Sequence, residues 1–142
     1  MFARLGLVLI AGLLAAPPAL ACSCLCEEPG AAQKRVDDAA YVFRGTVVSR
    51  QIEKDPDKRY ELGDPIRMKV SRILKGAITD ELTVYSPADP AMCGVAWRKG
   101  DTQDVLAYRG ADGRLNVGSC GQICAAKSGV FELLEEKGQP VP

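Results

Sequence analysis

The chain has 142 residues, 18 basic and 18 acidic side chains, six cysteines and no histidine. Without an imidazole there is no Ser-His-Asp or Cys-His nucleophile pair, no HExxH zinc site and no histidine proton shuttle, which excludes most hydrolase mechanisms. A net charge of zero gives no electrostatic footprint for a nucleic-acid partner, and the length suits one domain.

Residues 1–21 begin with a short basic start at Arg4, run through apolar residues to Ala16, break at Pro17-Pro18 and close on Ala19-Leu20-Ala21. This is the three-part pattern of a secretory signal peptide, with small residues at the positions a signal peptidase reads. The prolines interrupt the apolar run before the ~20 residues that a membrane span needs, and no later segment is apolar enough to span. The expectation is cleavage after Ala21, an exported chain (secreted or periplasmic) and one domain over residues 22–142 with Cys22 first. A lipid anchor on Cys22 is disfavoured, since Ala19 stands where a branched apolar residue normally precedes an acylated cysteine.

Cys22, Cys24 and Cys26 crowd the start of that domain, while Cys93, Cys120 and Cys124 lie far downstream. An even count in an exported domain reads as three disulfides, with the pairing left open by sequence. Neighbours along one short extended stretch are too close for unstrained bridges, so each bridge should tie the N-terminus to the far end of the domain. The competing reading is a thiolate metal cluster, which needs reduced thiols and has no histidine to complete a zinc site.

Residues 29–40 contain good helix formers, with Ala32, Val36, Ala39 and Ala40 on one side, and predict a short helix. Residues 41–50 are β-branched and aromatic and predict a strand with a bulge or bend at Gly45. Residues 51–65 read as a long, charged, exposed loop. Residues 66–74 alternate Ile66, Met68 and Val70 against Arg67, Lys69 and Ser71, the pattern of a half-buried strand. Lys75-Gly76 turns the chain, residues 81–86 form another strand, and a proline-stiffened loop from Pro87 leads into Cys93. Strands over 104–109 and 114–117 join across Asp112-Gly113. Ser128 is expected to cap a helix over 129–137 that ends at Gly138 and Pro140. Phe43, Tyr85 and Trp97 are expected in the core. The sum is a mainly β domain of five short strands with a helix near each end, most simply closed as a small barrel of the OB type.

The start Cys22-Ser23-Cys24, the segment IRMKVSRILKG (66–76), the run VYSPADPAMCG (84–94) and ADGRLNVGSC (111–120) carry a family likeness. In these residues the chain resembles the N-terminal inhibitory domain of the tissue inhibitors of metalloproteinases (TIMP), within the netrin-like superfamily. The resemblance implies a five-stranded OB barrel with flanking helices, bridges Cys22–Cys93 and Cys24–Cys120, and Cys26 left with Cys124. The third cysteine stands closer to Cys24 than in the family, and the family's second domain is not expected after the barrel.

The resemblance also implies a monomeric inhibitor, not an enzyme, with no cofactor of its own and a zinc metalloendopeptidase as partner. Cys22, Ser23, Cys24, Leu25, Ala91, Met92 and Cys93 would contact the protease. The α-amino nitrogen and carbonyl oxygen of Cys22 would chelate the partner's catalytic zinc, and Ser23 would enter its primed-side pocket. Catalytic zinc keeps an open coordination position, and a neutral amine is a good nitrogen ligand. The alternative is a netrin-like module that binds proteins or glycans without chelation, which the fold alone permits.

Overall fold

A computed structural model describes residues 22–26 and 30–142. The expected signal peptide, and Pro29 at the start of the first predicted helix, lie outside these residues. Five strands close the barrel: β1 (Tyr41–Arg50), β2 (Asp64–Lys75), β3 (Glu81–Ser86), β4 (Thr102–Arg109) and β5 (Leu115–Asn116). Their order is β1-β4-β5-β3-β2, and β2 pairs back to β1. The β3–β5 contact is parallel and the other barrel pairings are antiparallel, which is the OB arrangement. A two-residue strand β6 (Gln139–Pro140) adds to β2 at Arg72 and Ile73.

Alternation along the strands makes two cores. Phe43 and Val47 of β1, Ile66, Met68 and Val70 of β2 and Val105 and Ala107 of β4 fill the barrel. Val42 and Leu106 point the other way and are fully buried against Val36, Ala125, Val130 and Leu134 of the helices. Consecutive residues of one strand are therefore buried on opposite faces, as the period of two requires. The pairing of β1 with β2 shifts register between Arg44 and Gly45, so the irregularity expected at Gly45 is present. Phe43 is fully buried, whereas Tyr85 and Trp97 are half-buried at the barrel margin, so the expectation that they are core residues holds only in part.

The helices differ most from expectation. There are four among the described residues, not two: α1 (Ala32–Asp38), α2 (Pro56–Leu62), α3 (Ser119–Ser128) and α4 (Val130–Lys137). The supposed loop of residues 51–65 contains α2, started by Asp55, whose carboxylate accepts from the Asp57 and Lys58 amides at 3.1 and 3.5 Å. Pro56 follows in the first helical position, where its missing N–H costs nothing. Ser128 does not cap α4. It ends α3, donating its hydroxyl to the Ala125 carbonyl at 3.2 Å, and Gly129 at φ 89° links α3 to α4. The strand expected over 114–117 shrinks to Leu115–Asn116.

Side chains close the assembly where strands do not. Arg44 of β1 grips Asp104 of β4 through two nitrogens at 2.6 and 3.0 Å and reaches Glu135 of α4 at 2.7 Å. These bonds, that to Asp104 foremost, raise the pKa of its guanidinium still further above its already high ordinary value. Between β4 and β5 the ladder is only two residue pairs long. There Gln122 of α3 accepts from the Leu106 amide at 2.9 Å and donates to the Leu106 carbonyl at 2.8 Å. One side-chain amide thus satisfies the backbone groups that a longer β5 would have paired.

Candidate functional site

The sequence C-x-C-x-C is itself a strand pattern. In extended chain, alternate side chains point to opposite faces, so Cys22, Cys24 and Cys26 share one face and Ser23 and Leu25 the other. The burial follows: the three cysteines are half-buried, Ser23 is exposed and Leu25 is 95% exposed. All six cysteines are paired, as Cys22–Cys93, Cys24–Cys120 and Cys26–Cys124, with Cα separations of 5.5, 5.1 and 5.1 Å. The first two are the pairs that the family likeness implies and the third joins the two cysteines left over, so no thiolate remains for the competing metal cluster.

Two of the bridges depend on a match of periods. Cys120 and Cys124 stand four apart on α3, roughly 6 Å along a helix axis at 1.5 Å per residue. Cys24 and Cys26 stand two apart in extended chain, about 6.6 Å. The segment can therefore lie alongside α3 and be fastened at successive turns. The third bridge leaves the helix and reaches Cys93, so that the N-terminal edge abuts the loop of residues 87–93.

That loop is stiff. Asp89 accepts from the Ala91 amide at 2.8 Å and starts a 3-10 turn (Pro90–Met92) with Pro90 in its first position. Cys93 closes the turn at φ 62°, the single non-glycine residue with positive φ among the described residues, a conformation with a steric cost for L-residues. Its carbonyl accepts from the Ser119 amide at 2.8 Å, which joins the loop to the start of α3. At Gly94 a Cβ would run into the Pro87 carbonyl, so glycine is required for the loop to close on itself. Ser86, buried at the loop's base, accepts from the Val95 amide at 2.9 Å.

A buried ion pair supports this base. Asp64 is 2% exposed and accepts from Arg50 at 3.2 and 3.3 Å. Arg50 also donates to the carbonyls of Val95 and Trp97 at 2.6 and 3.4 Å. It thereby ties the ends of β1 and β2 to the chain just after the loop.

Met92 crowns the loop, 43% exposed, between two clefts of about 390 Å3 each. One is walled by Pro56 and Arg59 of α2 with Pro87 and Asp89. The other is walled by Leu62, Tyr85, Tyr108, Asn116 and Gly121. The Arg114 guanidinium lies 4.9 Å from the centre of the Tyr85 ring beside it.

Cys22, Cys24 and Cys93 thus come together through the bridges. Ser23 and Leu25 extend outward from the same edge, and Ala91 and Met92 are exposed on the adjoining loop. Sequence reasoning did not single out Arg50, Asp64, Gln122 or Arg59. Of these, Arg59 was within reach, because Asp55-Pro56 is a helix-start signal. The others act through tertiary partners that no local pattern announces.

Among the described residues no helix is long and apolar enough to cross a membrane, and three disulfides fit an exported chain. No curated protein matches the chain in a sequence comparison. The family described as tissue inhibitor of metalloproteinase matches residues 21–128. The match begins at the stapled edge and runs through the barrel to the end of α3, and the chain belongs to the tissue inhibitor of metalloproteinase family.

Proposed function

We propose that the exported protein, cleaved after Ala21, inhibits a zinc metalloendopeptidase by offering the α-amino nitrogen and carbonyl oxygen of Cys22 to the protease's catalytic zinc. The observation that carries this reading is the edge itself. A short extended segment is fastened by three bridges with Ser23 and Leu25 outward, beside a stiff loop capped by Met92. An extended backbone suits a protease cleft, and fastening it in advance lowers the ordering cost of binding. Family membership supports the partner class.

The donors fit zinc chemistry. A primary amine and a carbonyl oxygen are acceptable ligands at an open coordination position, and occupying that position removes the water the protease needs as nucleophile. Ser23 then follows the chelating residue into the primed side of the cleft, with Leu25, Ala91 and Met92 as flanking contacts. The protein needs no metal of its own, and it acts as a monomer outside the cytoplasm.

The test compares the mature form beginning at Cys22 with a form carrying one extra Ala before it, against a panel of zinc endopeptidases. The extension acylates the amine and displaces it. Inhibition should fall by about 100-fold or more, the equivalent of about 2.7 kcal/mol. Equal, strong inhibition by both forms would sink chelation. Equal inactivity against every enzyme would favour a protein- or glycan-binding module.

A further inference from the structure

The sulfur atoms of Cys22, Cys93 and Cys120 lie within 4.8 Å of one another, although Cys120 belongs to a different bridge from the other two. Two disulfides so close are neighbours in the chemical sense, because a thiolate formed on one is within reach of a sulfur of the other. Thiol–disulfide exchange needs only such an attack, with no change in overall oxidation state. Cys120 is placed to be the attacker. It lies in the first turn of α3, the positive end of the helix dipole. The Ser119 amide next to it holds the Cys93 carbonyl at 2.8 Å, so the two backbones are locked together. Cys22, by contrast, lies in the extended edge segment.

We infer that the edge carries a thiol-exchange release: a reductant that opens Cys24–Cys120 also frees Cys22, through attack of Cys120 on Cys93. In the first step an external dithiol reduces Cys24–Cys120, becomes a disulfide itself, and leaves thiols on Cys24 and Cys120. In the second, the Cys120 thiolate attacks Sγ of Cys93. The Cys93–Cys120 bond forms and the Cys22–Cys93 bond breaks. The electron pair goes to the Cys22 sulfur, which takes a proton from solvent in place of the one Cys120 gave up. One equivalent of dithiol thereby releases both Cys22 and Cys24. The remaining bridge, Cys26–Cys124, is the sheltered one, since Cys124 is 4% exposed. It keeps the loosened segment tethered, so the segment can be refastened on oxidation. The chemistry stands on the sulfur geometry alone, and its consequence, a redox-controlled inhibitor, rests on the function proposed above.

The experiment is disulfide mapping. In Cys24→Ser, Cys120 has no native partner and no reductant is needed. The protein is alkylated at neutral pH and digested, and the label is located by mass spectrometry. Exchange predicts label on Cys22 and a peptide joining Cys93 to Cys120, whereas label confined to Cys120 would overturn it. Label on Cys93 would overturn the assigned direction of attack. The unsubstituted protein treated with one equivalent of dithiothreitol gives the same reading if the variant does not fold: Cys22 and Cys24 labelled together support the release, while Cys24 and Cys120 labelled together refute it. None of these readouts involves a protease, so they succeed or fail independently of inhibition.

Discussion

The barrel and the N-terminal edge are held by opposite means. Phe43, Ile66, Met68 and Val105 are fully buried in the barrel and are held by excluded water and close packing. No residue of the edge, 22–26, is fully buried, and its place is kept by covalent bonds. A surface that must stay exposed to meet a partner cannot be secured by burial. Covalent fastening lets an exposed segment have a fixed shape without sacrificing its accessibility.

The contrast can be broken most severely at the barrel. Phe43→Ala removes a fully buried ring and should cost about 4 kcal/mol, measured by urea denaturation under oxidising conditions. A loss under about 1 kcal/mol would mean that the bridges, not the core, dominate stability.

The next largest effect concerns how the bridges add. Cys26 and Cys124 are 98 residues apart in sequence, and an isolated bridge of that span is worth about 4.7 kcal/mol in the chain-entropy model. With Cys24–Cys120 already closed, however, the additional ring holds only a handful of residues. Replacing both Cys26 and Cys124 by Ser should therefore cost about 2 kcal/mol. A loss near the isolated value would show that the bridges act independently.

Gln122→Ala leaves the Leu106 amide and carbonyl without their partner and should cost about 1.5 kcal/mol. Accelerated hydrogen exchange at Leu106 would locate the damage. The smallest effect on stability belongs to Leu25→Ala. A side chain 95% exposed should change stability by less than about 0.5 kcal/mol. If the edge docks in a protease, the same substitution weakens inhibition while the melting curve stays put.

Much of the barrel was legible because strands write their period into the chain. The strands at 41–50 and 81–86 appear with the expected bounds, and the alternation Ile66, Met68, Val70 points into the core. The helix α3 was not legible. Its sequence has Gly121 near its start and no apolar stripe, so local propensity argues against it. It exists because two bridges and Gln122 fasten it to the edge segment and to β4. The site was legible in its cysteines, whose spacing is covalent logic. Its support by Arg50 and Asp64 was not, since a buried ion pair 14 residues apart leaves no periodic trace.

The matched spacing on α3 has one more consequence, for folding. A slide of the edge by two residues would set Cys22 opposite Cys120 and Cys24 opposite Cys124, because the cysteines repeat with the same spacing in both frames. The spacing therefore predicts a frame-shifted isomer in oxidative folding, which peptide maps would show as unpaired Cys26 and Cys93. What distinguishes the native frame is Cys93, which lies off the helix and can be reached by Cys22 in one frame alone. The cysteine that sits apart from the ladder is the one that sets its reading frame.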